Sequence, residues 1–169
     1  MSLNINPATA SEREVVDNLL QYYLHDFSEF TRVAMDSHGR FEYPYLAHYW
    51  RDQDRWPLLI RQNEHIVGLA LVRQDADPVD GQQYREMAEF FILRRYRRLG
   101  LGCAAARMIF ERFSGPWHVA VLHSNEKAQT FWQAVMSTHV GSQYQQHVEP
   151  TTIVLRFEQP KTAATAGSS

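Results

Sequence analysis

The chain has 169 residues, 44% apolar and 12% aromatic, which suits one domain with a packed core and argues against disorder. A formal net charge of −2 offers no broad basic field for nucleic acid, and the single cysteine, Cys103, excludes a disulfide framework and a multi-cysteine zinc site. The first residues lack a basic start and an apolar secretory core, and no stretch approaches the roughly 20 apolar residues that span a bilayer, so a soluble, cytoplasmic protein without membrane attachment is expected.

The first helix is expected over residues 11–27. Ser11 with Glu14 forms an S-x-x-E capping box, and Thr9 with Glu12 offers a competing one. Val15, Val16, Leu19, Leu20, Tyr23, Leu24 and Phe27 then fall on one stripe. Residues 39–50 are irregular and aromatic-rich, with room for a short helix. Residues 56–61 and 66–72 read as a hairpin turning near Gln62-Asn63-Glu64, the second strand apolar on both faces. Asp, Pro and Gly mark residues 75–81 as a turn, and residues 84–93 as the next strand.

A helix over 103–113 places Ala105, Ile109 and Phe113 four apart and stops at Ser114-Gly115-Pro116. Residues 117–122 form a strand parallel to the one before, because a helix crosses between them. A last helix carries Ala128, Phe131, Trp132 and Val135 on one face. Residues 151–157 are the final strand, Tyr144 belongs to another, and residues 160–169 are a flexible tail after a single domain, 1–159. The order gives an α/β fold in three layers, with a mixed, mostly antiparallel sheet, one central parallel pair, and helices on both faces.

Between strand 84–93 and helix 103–113 lies Arg94-Arg95-Tyr96-Arg97-Arg98-Leu99-Gly100-Leu101-Gly102. Four arginines here leave a charge of 13 − 19 = −6 on the rest of the chain, so positive charge is concentrated in one loop. Glycines let backbone N–H groups approach a phosphate, and a helix N-terminus adds about half a positive charge. The pattern is neither G-x-x-x-x-G-K-[ST] nor G-x-G-x-x-G. Taken alone it reads as a phosphate cradle, as a solvated basic turn, or as a small nucleic-acid contact with Tyr96 as a stacking ring. The acidic remainder and small footprint disfavour nucleic acid.

Strand, R-x-x-G-x-G from Arg97 to Gly102, and amphipathic helix resemble the acyl-CoA pyrophosphate loop of the GNAT acetyltransferase superfamily. Asn125-Glu126-Lys127-Ala128-Gln129-Thr130-Phe131-Trp132 resembles that superfamily's N-x-x-A-x-x-F/L-Y/W helix, one strand further on. The resemblance implies that the parallel pair splays and admits the pantetheine arm of acetyl-CoA; separately, the eight histidines show no H-x-x-x-H spacing within a helix, so no metal site is expected. The resemblance further implies cofactor contacts from the backbone of Phe91, Ile92 and Leu93, from the loop at Arg97, Arg98, Leu99, Gly100, Leu101, Gly102 and Cys103, and from Asn125, Phe131 and Trp132. Arg97 or Arg98 would pair with the pyrophosphate or the 3′-phosphate. Asn125 can equally be an N-cap, and Phe131 and Trp132 can equally be core.

Acetyl transfer to an amine needs a base, and Glu86 and Glu89 are the candidates, each otherwise an ordinary glutamate. Glu89 interrupts an apolar run, so burial would raise its pKa; strand alternation puts the two on opposite faces. Many superfamily members carry Tyr where this chain has Trp132, and indole cannot serve as the acid. Tyr144, His123, Ser124 or water is left for that task. An acyl-Cys103 route lacks a nearby His. The resulting expectation is an N-acetyltransferase acting by direct attack on a small-molecule or peptide amine, with a non-catalytic CoA-binding module as the alternative, as a monomer or homodimer. The resemblance implies that the segment after the first helix lines the acceptor pocket; here it holds Asp26, Glu29, Asp36, Glu42, Tyr43 and Tyr45, which would suit a cationic amine and equally a solvated surface.

Overall fold

The computed structural model describes residues 2–161. Seven strands form one sheet: β1 (Leu3–Pro7), β2 (Arg55–Gln62), β3 (His65–Ala76), β4 (Gln83–Ile92), β5 (Gly115–Leu122), β6 (Tyr144–Val148) and β7 (Thr152–Gln159). Their spatial order is β1-β2-β3-β4-β5-β7-β6, and every neighbouring pair is antiparallel except β4–β5. Four helices complete the fold: α1 (Arg13–Phe27), α2 (His48–Arg51), α3 (Leu101–Arg112) and α4 (Glu126–Val140). Of the expected tail, only Pro160 and Lys161 fall within the described residues, and both are exposed. Strand β1 was not expected; its short, polar Leu3-Asn4-Ile5-Asn6-Pro7 run buries only Ile5.

Of the two competing boxes at the start of α1, Thr9 with Glu12 forms, and Ser11 with Glu14 does not. The Thr9 N–H donates to Glu12 Oε2 at 2.8 Å, and a 3₁₀ turn over Ala10–Glu12 leads into α1. Glu12 is then held in place by Arg61 of β2. Helix α1 lays Val16, Leu19 and Leu20 on Leu59, Leu69 and Leu71, while α3 and α4 pack on the opposite face around Phe110, Trp117 and Val135. Trp117 and Phe110 are fully buried, and each such side chain contributes roughly 1.5–3 kcal/mol by leaving water. The β2–β3 turn places Asn63 at φ 48 and Glu64 at φ 70, the paired left-handed residues of a tight two-residue hairpin.

Two irregularities in β4 shape everything that follows. First, Leu71 pairs with Glu89 but Val72 pairs with Met87, so Ala88 is an extra residue, a β-bulge. Second, β4 and β5 pair only at Arg85–Trp117 and Glu86–His118. Above those two rungs the strands part, so the splay implied by the resemblance is present. Close β3–β4 packing beside the gap depends on Gly68, where a Cβ would sit 2.3 Å from the Phe91 carbonyl oxygen.

Candidate functional site

The cofactor end begins where β4 stops. Residues 94–96 make a 3₁₀ turn, Arg98 takes φ 64, and Gly100 caps α3 at φ 75. A Cβ at Gly100 would touch nothing, so glycine is needed there for its conformation rather than for space. Gly102 has a different reason: a Cβ would stand 3.2 Å from Phe131 Cε2. Among the described residues, the backbone N–H groups of residues 98–103 donate to no protein acceptor; the first bond of the new helix is Ala104 N–H to Gly100 O. Free N–H groups in succession at a helix N-terminus are a ready anion site.

Arg97 and Arg98, expected as alternative phosphate ligands, are separated by the fold. Arg97 Nε donates to the Ile92 carbonyl at 2.7 Å, its Nη2 donates to Asp26 Oδ2 at 2.7 Å, and its guanidinium lies 5.4 Å above the Phe91 ring. Arg94 takes the other Asp26 oxygen. Asp26 is drawn out of water, which raises its pKa, but the two guanidiniums outweigh this and leave it lowered. Arg97 therefore clamps the loop to β4 and α1. Arg98 is exposed, and among the described residues it forms no ion pair.

The gap offers backbone. The Leu93 N–H donates to Val67 O at 2.9 Å, towards β3. In an extended strand the N–H and C=O of one residue leave on the same side and successive residues alternate, so Phe90 presents both to the gap and Ile92 its N–H, its carbonyl being held by Arg97. Phe91 and Leu93 instead turn their backbone to β3. The Phe91 ring packs edge-on against Tyr23 of α1 at 6.1 Å.

The α1 side holds the carboxylates, and here the bulge corrects the expectation from alternation. Glu86 pairs with Arg73 and Glu89 with Leu71, two positions apart on β3, so Ala88 brings both glutamates to one face. Their environments differ. Glu86 is neutralised by Arg73, whose Nε and Nη2 both lie 2.5 Å from Oε2. Glu89 accepts a hydrogen bond from the Tyr43 hydroxyl at 3.0 Å, and the Tyr23 phenol faces the same carboxylate. Burial raises the Glu89 pKa despite those two phenols, and burial together with the Glu89 charge pushes both of them upward. This is a desolvated carboxylate poised to accept a proton.

The remaining candidates are dispersed. Asn125 is the N-cap of α4, its Oδ1 accepting from Ala128 N–H at 3.0 Å. Phe131 stacks on Phe90 at 5.7 Å beside Gly102, at the mouth of the gap. Trp132 is buried against Phe90 and Phe110. Cys103 is partly buried against the same core. Tyr144 is not brought to Glu89: it begins β6, two strands beyond β5, in the row Trp117–Phe157–Tyr144 at the closed end of the gap. It lines a separate cavity of about 550 Å³ with Tyr84, His118 and Arg156. His123 and Ser124 lie at the open end of β5, and His123 is engaged with the Glu149 carbonyl at 2.8 Å.

Three participants escaped the sequence reading: Tyr23, which looked like core stripe; Arg73, which partners Glu86; and the Ala88 bulge. None carries a local signature.

The family model for the acetyltransferase (GNAT) family matches residues 17–136. The chain belongs to that family. It is an acetyltransferase by fold and family, and the family uses acetyl-CoA. Among solved structures it is similar to an acetyltransferase from Thermus thermophilus, with a TM-score of 0.63 and 18% identity over 94% of this chain and 97% of that one. It is similar to spermidine N-acetyltransferase from Vibrio cholerae, solved with CoA and spermine, with a TM-score of 0.64 and 9% identity over 93% and 95% of the two chains. It is also similar to ribosomal-protein-S18-alanine N-acetyltransferase from Escherichia coli, with a TM-score of 0.61 and 12% identity over 99% and 100%. At such identities the likeness is one of fold. No curated protein matches the sequence significantly. Among the described residues, no helix is long and apolar enough to cross a membrane.

Proposed function

We propose that this acetyltransferase moves the acetyl group of acetyl-CoA to a primary amine by direct attack, with Glu89 as the base. The observation that carries the reading is a half-buried carboxylate, bonded to Tyr43 and with a raised pKa, on the α1 face of β4, beside the open gap. The residues present fit acetyl-CoA: N–H groups of residues 98–103 and the Arg98 guanidinium for the phosphates, and the Phe90 backbone with the Ile92 N–H for the pantetheine amides. Bound acetyl-CoA supplies an activated acyl carbon. The protein's part is to hold the arm extended and to take a proton from the acceptor ammonium. Glu86 is less suited to that task, because Arg73 already stabilises its charge. A CoA thiolate leaves without strong acid help, so Trp132 in place of Tyr is compatible with turnover.

The acceptor reaches Glu89 through a wall of phenols, Tyr23, Tyr43 and Tyr45, which suits an alkylammonium. Both a polyamine and a peptide N-terminus satisfy that description. The test is thiol release from acetyl-CoA with spermidine, an alanine-initiated peptide and n-butylamine as acceptors. Glu89→Gln should lower kcat by about 100-fold or more, and Glu86→Gln by much less. Equal activity of Glu89→Gln and the parent chain would overturn the assignment.

A further inference from the structure

Glu89 is half-buried, its carboxylate bonded to the Tyr43 phenol and faced by that of Tyr23. The two phenols are not equivalent. Tyr23 is stacked on Phe27 at 5.4 Å and edge-on to Phe91. Tyr43 is edge-on at 5.9 Å to Tyr45, which is 56% exposed. Tyr43 thus joins the carboxylate to an exposed ring. Nor is it on a swinging arm. Gln21 of α1 grips the Phe41 backbone through two hydrogen bonds of 2.8 and 3.0 Å, and Arg40 is tied to Asp17 at 2.6 Å. An acceptor arriving along Tyr45 would meet the Tyr43 oxygen before Glu89.

We propose that Tyr43 is a proton relay: its oxygen accepts the proton of the acceptor ammonium while its own hydroxyl proton passes to Glu89 Oε1. The inference rests on Glu89 being the base. One N–H bond of the ammonium and the Tyr43 O–H bond break; a new Tyr43 O–H and the Glu89 Oε1–H form. The amine ends neutral, Tyr43 is unchanged, and the proton resides on Glu89. The groups facing Glu89 are Tyr23, Tyr43, Glu86 and Arg73, with Tyr49 beyond. Burial and the Glu89 charge hold Tyr43 far above an ordinary phenol, so a free phenolate is never populated and the two transfers are concerted. Tyr23, lacking an exposed neighbour, is the positioning residue.

The test uses the full chain and the three amines above. Tyr43→Phe should lower kcat by about 100-fold while KM for acetyl-CoA stays within about twofold. Tyr23→Phe should lose less than about tenfold, and Tyr43→Phe with Glu89→Gln should be no worse than either alone. Rates in H₂O–D₂O mixtures should bow, as two moving protons require. If Tyr43→Phe folds poorly, 3,5-difluorotyrosine at position 43 keeps the shape and should change kcat through ring acidity. A rate for Tyr43→Phe within about threefold of the parent, with a linear isotope plot, overturns the relay. Glu89→Gln then separates the cases, because a 100-fold loss leaves the base standing and no loss removes both. No thiol release by the parent chain with any of the three amines also overturns both.

Discussion

The two ends of β4 solve different problems with different parts of the chain. At its C-terminal end two of the arginines are already spent: Asp26 engages Arg94 and Arg97, and Arg97 covers the Ile92 carbonyl. What stays available there is chiefly backbone, the N–H groups of residues 98–103, beside the exposed Arg98. In its middle the backbone is tied into the ladder with β3, and what stays available is a side chain, Glu89, desolvated beneath tyrosines. Binding a polyanion tolerates many sequences if the glycines hold the path. Moving a proton requires one group at one place.

The widest test of that division strikes both ends together. Gly68→Val should destabilise the fold by about 3 kcal/mol or more, because its Cβ meets the Phe91 carbonyl and β4 must shift; thermal unfolding measures it, and an unchanged melting temperature would refute the tight β3–β4 contact. Gly100→Ala attacks only the cofactor end. Holding an alanine at φ 75 costs about 1–2 kcal/mol, and CoA affinity should fall about tenfold by calorimetry, with kcat little changed. Leu99→Ala, which removes a side chain 73% exposed, should leave CoA binding as it was. Asp26→Asn frees both arginines, and acetyl-CoA KM should shift by severalfold in a salt-dependent way, in line with about 1 kcal/mol for part-exposed pairs.

The acceptor end can be read by pH. Because burial raises the Glu89 pKa above 4.5, the folded state favours its protonated form. That favourable contribution is complete below 4.5 and is lost as pH rises through the folded value, so Glu89→Gln should gain stability over the parent increasingly above pH 4.5. His118 acts oppositely: burial and Arg156 hold it down to about 4, so its contribution is present above 6.5 and fades as pH falls towards 4. Partial exposure should limit that fade to roughly 1 kcal/mol. Subtracting the two unfolding profiles isolates Glu89. The smallest effect is expected for Arg98→Gly, which relieves a φ of 64 and should stabilise the chain by about 0.5–1 kcal/mol while weakening CoA binding. A stability gain without weaker binding would show that the Arg98 guanidinium does not touch the cofactor.

The cofactor end was readable because its determinants are contiguous. Arg97, Gly100 and Gly102 lie within six residues, and each helix carries its own periodicity. The succession of elements from α1 to β7 followed from the same patterns, whereas β1 did not. The acceptor face was less readable because its determinants are remote: Tyr43 is 46 residues from Glu89, and Asp26 is 71 from Arg97. No residue type announces the bulge. Ala88 follows Met87 as it would in a regular strand, yet that insertion moves Glu86 to the face of Glu89. Trp132 was recognised as unable to act as an acid, and its burial explains what it does instead: it fills the core beside Phe90.

Pairing between β4 and β5 resumes at Glu86–His118, which makes the slot blind-ended. From Ile92 down to Ala88 an extended strand runs only about 13 Å, at roughly 3.3 Å per residue. Such a slot is a ruler: its floor fixes how deep a thioester can sit. Donors with longer acyl chains should therefore be progressively poorer substrates, whatever amine receives them.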